Sequence, residues 1–176
     1  MSLPPLPTSA IVIEADADDW RAAVTLAGEA LVRSGSAKPA YSAEMIRMIE
    51  EHGPYVVIAP GLALAHARPG AEVIADGLSV VTLATPVDFG HPHNDPVSVV
   101  LGLAIARSDT HLAAVAAVAN IFNDSSAIAD LAAAGSAVEV QAIMRGGASK
   151  DRAINSTGAA HPAAPAPTEP AGQERS

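Results

Sequence analysis

Six histidines, His52, His66, His91, His93, His111 and His161, are the main reactive side chains of a chain that has no cysteine. Imidazole suits reversible phosphoryl transfer near neutral pH. Its neutral nitrogen is nucleophilic, and the phosphoramidate it forms is reactive enough to be passed on. His66 stands in Pro60-Gly61-Leu62-Ala63-Leu64-Ala65-His66-Ala67-Arg68-Pro69. This segment reads as leaving a buried strand through a Pro-Gly turn, and loops at strand ends are where α/β sheets place reactive groups. Arg68 is close enough in sequence to donate to phosphoryl oxygens, the kind of help such a transfer needs. Taken alone, a loop histidine reads first as a structural residue.

His66 is not alone. Asp109-Thr110-His111-Leu112 puts a second imidazole in the first turn of a helix that directly follows a buried strand. Helix N-termini carry free N–H groups and partial positive charge, so they hold anions. His111 is therefore either a donor to a phosphoryl oxygen or an exposed first-turn residue with Asp109 merely capping. Spacing leaves both readings open.

The remaining candidates are weaker. His91 and His93 form an H-x-H pair that would share one face of a strand, but a metal site needs a third ligand. Phe89-Gly90 and Pro92 around them favour a solvated loop. Asp95, in Asn94-Asp95-Pro96, reads as a turn residue, with orientation of a histidine or contact with a partner as its other role. His52 follows two glutamates at a helix end, and His161 lies in a tail. No phosphate loop, dinucleotide fingerprint, nucleophile elbow or H-E-x-x-H helix is present.

These side chains must be positioned by one domain's worth of chain: 176 residues, 49% apolar and 16% charged, with mean hydropathy +0.27. That supports a sizeable core built from Ala, Val, Leu and Ile, since aromatic residues make up only 3%. The net charge is -9, which argues against nucleic acid as a partner because phosphate backbones require clustered cations. The longest apolar stretch, Val97 to Ala106, is too short to span a bilayer. No signal peptide is expected from Met1 to Pro7. Together with the missing cysteine, this fits a cytoplasmic protein.

Residues 1–10 read as a flexible lead-in and residues 11–146 as the folded domain. The Ala/Pro-rich tail over 147–176 reads as disordered, since it cannot offset its ordering entropy. Within the domain, Ile11-Val12-Ile13 is a short edge strand. Trp20 to Leu31 and Tyr41 to Ile49 show helical spacing, with acidic residues before the first and Gly35 and Gly53 as stops. Tyr55 to Ala59, Leu78 to Leu83 and Val97 to Ala106 are strands. A helix capped by Asp109 with an inner face of Leu112, Val115, Val118 and Phe122 follows, then helices over Ser125 to Ala134 and Val138 to Met144. The expected fold is α/β: a mixed β-sheet flanked by helices on both faces.

The stretch from Tyr41 to Met144 resembles the mannitol/fructose-type enzyme IIA domains of the sugar phosphotransferase system, in particular the ascorbate-like branch. The resemblance is carried by Gly53-Pro54-Tyr55-Val56-Val57-Ile58, by the segment from Pro60 to Pro69, by Asn94-Asp95-Pro96-Val97 and by Asp109-Thr110-His111-Leu112, in that order. It implies a phosphotransferase with a phosphohistidine intermediate that requires neither a metal nor an organic cofactor. His66 would accept phosphate from the histidine phosphocarrier protein and deliver it to a cysteine of a cognate enzyme IIB, and through it serve a membrane permease. His111 would support the phosphoryl group and the His66 ring. The family's usual proline before the active histidine is Ala65 here. A regulatory enzyme IIA without a transport role, and a non-covalent metal- or anion-binding module, are the alternatives. Formation of a homo-oligomer is left open.

Overall fold

The computed structural model describes residues 2–124 and 126–146. The expected tail over 147–176, including His161, lies outside them. Five strands form one sheet: β1 (Ile11–Ala15), β2 (Val57–Ala59), β3 (Leu62–His66), β4 (Gly77–Val87) and β5 (Val97–Ala104). Their order is β1-β4-β5-β3-β2. β1 runs parallel to β4 and β3 parallel to β5, whereas β4–β5 and β2–β3 are antiparallel. Helices α1 (Trp20–Arg33) and α2 (Tyr41–His52) cover one face. The other face is covered by α3 (Ser108–Asn120), α4 (Ser126–Ala133) and α5, residues 137–146. The mixed sheet between helical layers is as expected.

Burial on both faces explains why the central strands are continuously apolar. Along β3, Leu62 and Leu64 join the core beneath α3 to α5, while Ala63 and Ala65 join the core beneath α1 and α2. The period of two therefore sends His66 to the α3 side. Small residues line the α1 side, where the helix approaches closely. Ser79 donates its hydroxyl proton to Ala27 C=O at 2.8 Å. A Cβ at Gly102 would collide with that Ser79 hydroxyl and lie 3.1 Å from Ala27 O. Gly102→Ala should therefore destabilise the fold by about 1–3 kcal/mol in denaturant titrations.

Three sequence expectations change. Leu62–His66 is a strand rather than a loop, and Pro60-Gly61 is the turn of a β2–β3 hairpin, with Gly61 at φ 79°. The cap of α3 is Arg107, whose side chain makes no capping bond; Asp109 instead takes two hydrogen bonds from the Arg107 guanidinium, at 3.0 and 2.6 Å. Leu112 is 78% exposed, because the inward stripe of this helical stretch is Ala114, Val118, Ile121 and Phe122.

The opening segment, read as a flexible lead-in, lies along the sheet. Leu78 N–H donates to Pro5 C=O at 3.0 Å, and Leu3 and Leu6 pack on the core beneath α3 to α5. At the β1 edge, Glu14 adopts φ 50° and its N–H donates to the Thr82 hydroxyl at 2.9 Å, where the β1–β4 register shifts. Among the described residues, no single helix is long and apolar enough to cross a membrane.

Candidate active site

His66 is the last residue of β3, and its ring is half-buried. Its Nδ1 lies 2.8 Å from Leu64 C=O. A carbonyl can only accept, so Nδ1 carries the proton and Nε2 keeps its lone pair. The strand's own backbone therefore selects the tautomer.

His111 reaches the same place from the first turn of α3. The β5–α3 connection that carries it is tied down by Asp76, whose carboxylate accepts from Ala106 N–H at 2.8 Å. The two imidazoles have ring centroids 5.6 Å apart and planes inclined by 46°. His111 Nδ1 is buried and has no hydrogen-bond partner among the described residues. An N–H there would be stranded, which favours placing the proton on Nε2.

Burial lowers the pKa of His66 below its ordinary 6.5, against the Leu64 hydrogen bond, which raises it, and with His111 lowering it further. Burial lowers His111 as well. Both rings thus stay neutral to lower pH than a free imidazole. The unfolded chain takes up these protons more readily than the fold does, so stability rises with pH across this window. The melting temperature should fall as pH drops below 6.5 toward the depressed folded values. A His66→Gln/His111→Gln double variant should lose that part of the dependence, measured by thermal unfolding across pH.

Two tyrosines missed in the sequence complete the surroundings. Tyr55 sets its ring edge-on to His66, with centroids 5.4 Å apart, and donates its hydroxyl proton to His66 C=O at 3.0 Å. Tyr41, buried beneath β3 and β5, donates to Leu103 C=O at 2.7 Å and accepts from Ala67 N–H at 3.1 Å. Burial pushes its hydroxyl up to about 12. Arg68 is exposed, lies close enough to Tyr55 to oppose the rise of that hydroxyl's pKa, and makes no hydrogen bond or ion pair among the described residues.

The other histidine candidates fall elsewhere. Asn94 C=O accepts from Gly61 N–H at 2.9 Å, so its loop meets β3 at the end opposite His66. There the Asp95 carboxylate accepts from the N–H groups of Phe89, Gly90 and His91, organising the loop rather than either site histidine. His91 Nδ1 accepts from the N–H groups of His93 and Asn94, which occupies that nitrogen. His52 stands edge-on to Tyr55, with centroids 6.4 Å apart.

Comparison with known proteins identifies the family of the chain. Residues 5–146 match the family described as "Phosphoenolpyruvate-dependent sugar phosphotransferase system, EIIA 2". The ascorbate-specific PTS system EIIA component of Salmonella typhimurium is 36% identical over 133 residues, 75% of this chain and 86% of that protein. Among solved structures, a protein assigned as a PTS IIA, PtxA from Streptococcus mutans, superposes with TM-score 0.73 at 35% identity, covering 81% of this chain and 90% of that one. Enzyme IIA-Mtl of Escherichia coli, solved in complex with phosphorylated enzyme IIB-Mtl, superposes with TM-score 0.70 at 26% identity, covering 81% and 98%. The resemblance read from the motifs and the family match agree: this chain belongs to the EIIA 2 family of the phosphoenolpyruvate-dependent sugar phosphotransferase system.

Proposed function

We propose that His66 is the phosphoryl acceptor of this enzyme IIA and that Nε2 is the reacting atom. The observation that carries the reading is the Nδ1–H bond to Leu64 C=O, which leaves Nε2 unprotonated beside a second imidazole. The Nε2 lone pair attacks the phosphorus of phosphorylated histidine phosphocarrier protein. The donor's N–P bond breaks as the new one forms, and the carrier's imidazole leaves with the electron pair. In the second step, a cysteine thiolate of enzyme IIB attacks the same phosphorus and His66 Nε2 departs.

His111 donates a hydrogen bond to a phosphoryl oxygen in both steps, and the Arg68 guanidinium balances the incoming charge from the rim. Depressed pKa values keep the nucleophile neutral when the anionic donor arrives. The exposed side chain of Leu112, next to His111, suits contact with protein partners. The ascorbate-specific name of the Salmonella relative supports assigning this chain to uptake of a sugar or sugar acid of that kind. It would act at the cytoplasmic side, serving a permease through enzyme IIB. Transfer between nitrogen and sulfur needs no cofactor.

The test is incubation of the full chain with phosphorylated phosphocarrier protein, followed by intact-mass measurement and mapping of the modified residue. One phosphoryl group on His66, discharged on addition of cognate enzyme IIB, is the expected result. Absence of any modification, or modification confined to another histidine, would refute it.

A further inference from the structure

The sheet runs out of strands at the residue proposed to carry phosphate. The β3–β5 ladder ends at the pair His66 and Leu103. On the other flank β2 pairs through Ala59 with Leu62 and Val57 with Ala63, followed by a bond from Leu64 N–H to Val56 C=O at 2.8 Å. Beyond these points, the polar groups of β3 would face solvent or open space, and a strand end so exposed frays. Here side-chain groups take over from missing backbone neighbours. Leu64 C=O receives the His66 ring N–H, and His66 C=O receives the Tyr55 hydroxyl. Ala67 N–H gives to the Tyr41 hydroxyl, which passes its own proton to Leu103 C=O. That hydroxyl stands between β3 and β5 just past their last paired residues, bridging a donor and an acceptor that no longer meet directly.

The two tyrosines thus grip one peptide group, the His66 carbonyl and the Ala67 amide, from opposite sides. We propose that Tyr55 and Tyr41 are positioning residues that lock the His66–Ala67 peptide where strand pairing has stopped, so that the His66 ring keeps one tautomer and one direction. The proposal rests on His66 being the acceptor. The Nδ1 bond depends on the peptide because ring and carbonyl belong to the same residue: rotation about the His66 backbone moves the ring off Leu64 C=O. The two hydroxyls differ in what holds them. Tyr41 is fully buried and its hydroxyl serves two backbone groups, so its loss also weakens the core. Tyr55 is 38% exposed, so water could serve its hydroxyl, and its bond to His66 is not demanded by burial. Tyr55→Phe is therefore the sharper variant.

The experiment uses the full chain labelled with 15N-histidine and two-bond 1H–15N correlation spectra, which report each ring's tautomer, alongside phosphotransfer kinetics. Wild type should show His66 as a single Nδ1–H tautomer. Tyr55→Phe should melt close to wild type, yet show a second His66 tautomer and a roughly tenfold lower kcat, with KM for phosphorylated phosphocarrier protein unchanged. Tyr41→Phe should show the same tautomer change together with a lower melting temperature. Wild-type tautomer and kcat in Tyr55→Phe would overturn the clamp, and so would a rise in KM alone, which would make Tyr55 a docking contact. If wild type accepts no phosphate while Tyr55→Phe still shifts the tautomer, the clamp stands and the proposed transfer function falls.

Discussion

Replacing His66 with alanine should reduce phosphoryl uptake from phosphorylated phosphocarrier protein to background, a loss on the order of 10⁴-fold or more, because the proposed acceptor nitrogen is removed. The fold should survive. The ring is half-buried at a strand end and its loss removes one hydrogen bond, to the Leu64 carbonyl, so the stability cost should be about 1 kcal/mol. Intact mass reads the first effect and thermal unfolding the second. A phosphoryl label that survives His66→Ala but disappears in His111→Ala would exchange the two histidines' roles.

His111→Ala should leave acceptance possible but slow, by about 10²–10³-fold, the usual consequence of removing one positioned donor to developing phosphoryl charge. The loss should appear in kcat more than in KM, because the hydrogen bond strengthens as charge redistributes in the transition state. His111→Gln should recover part of the rate, since its amide presents an N–H from the same helical position. The variant should also titrate differently. The neighbouring imidazole is one of the causes lowering the His66 pKa, so its removal should move the acidic limb of the pH–rate profile upward, toward the ordinary value. An unchanged rate in His111→Ala would reduce that residue to a structural wall of the site.

The helices α1 and α2 were legible because their apolar residues recur at helical spacing and because acidic and glycine residues bracket them. The structure adds that Asp19 caps α1 by accepting from Ala22 N–H at 2.8 Å. β3 was hidden for the opposite reason. Leu62-Ala63-Leu64-Ala65 is buried on both faces, so it lacks polar alternation, and it contains no β-branched residue to mark it as a strand. The inner face of α3 was misjudged at Leu112 because apolar residues fill most of that helix and several stripes fit equally well. What covers the helix, not its own periodicity, decides which stripe turns inward.

The meeting of His66 and His111 was anticipated through motif resemblance rather than physics, since 45 positions separate them in the chain. Their ring contact exists because β3 and β5 are parallel neighbours, so the end of one strand lies beside the start of the helix that follows the other. Tyr41 and Tyr55 escaped notice because their polar roles depend on partners brought in by that same topology. Tyr41 read as an apolar position on α2, and nothing nearby in sequence announces that its hydroxyl ends between two strands.

The borders of the sheet carry a consequence for how such an apolar chain behaves in solution. One border is a strand of only three residues, Val57–Ala59. The other is interrupted at Glu14, where the backbone turns into the left-handed region and its amide is spent on Thr82. Neither rim offers a long, straight row of vacant amides and carbonyls on which a second molecule could add a strand. Concentrated solutions should therefore resist fibril seeding, and any self-association would have to use helical faces or side chains instead of an extended sheet.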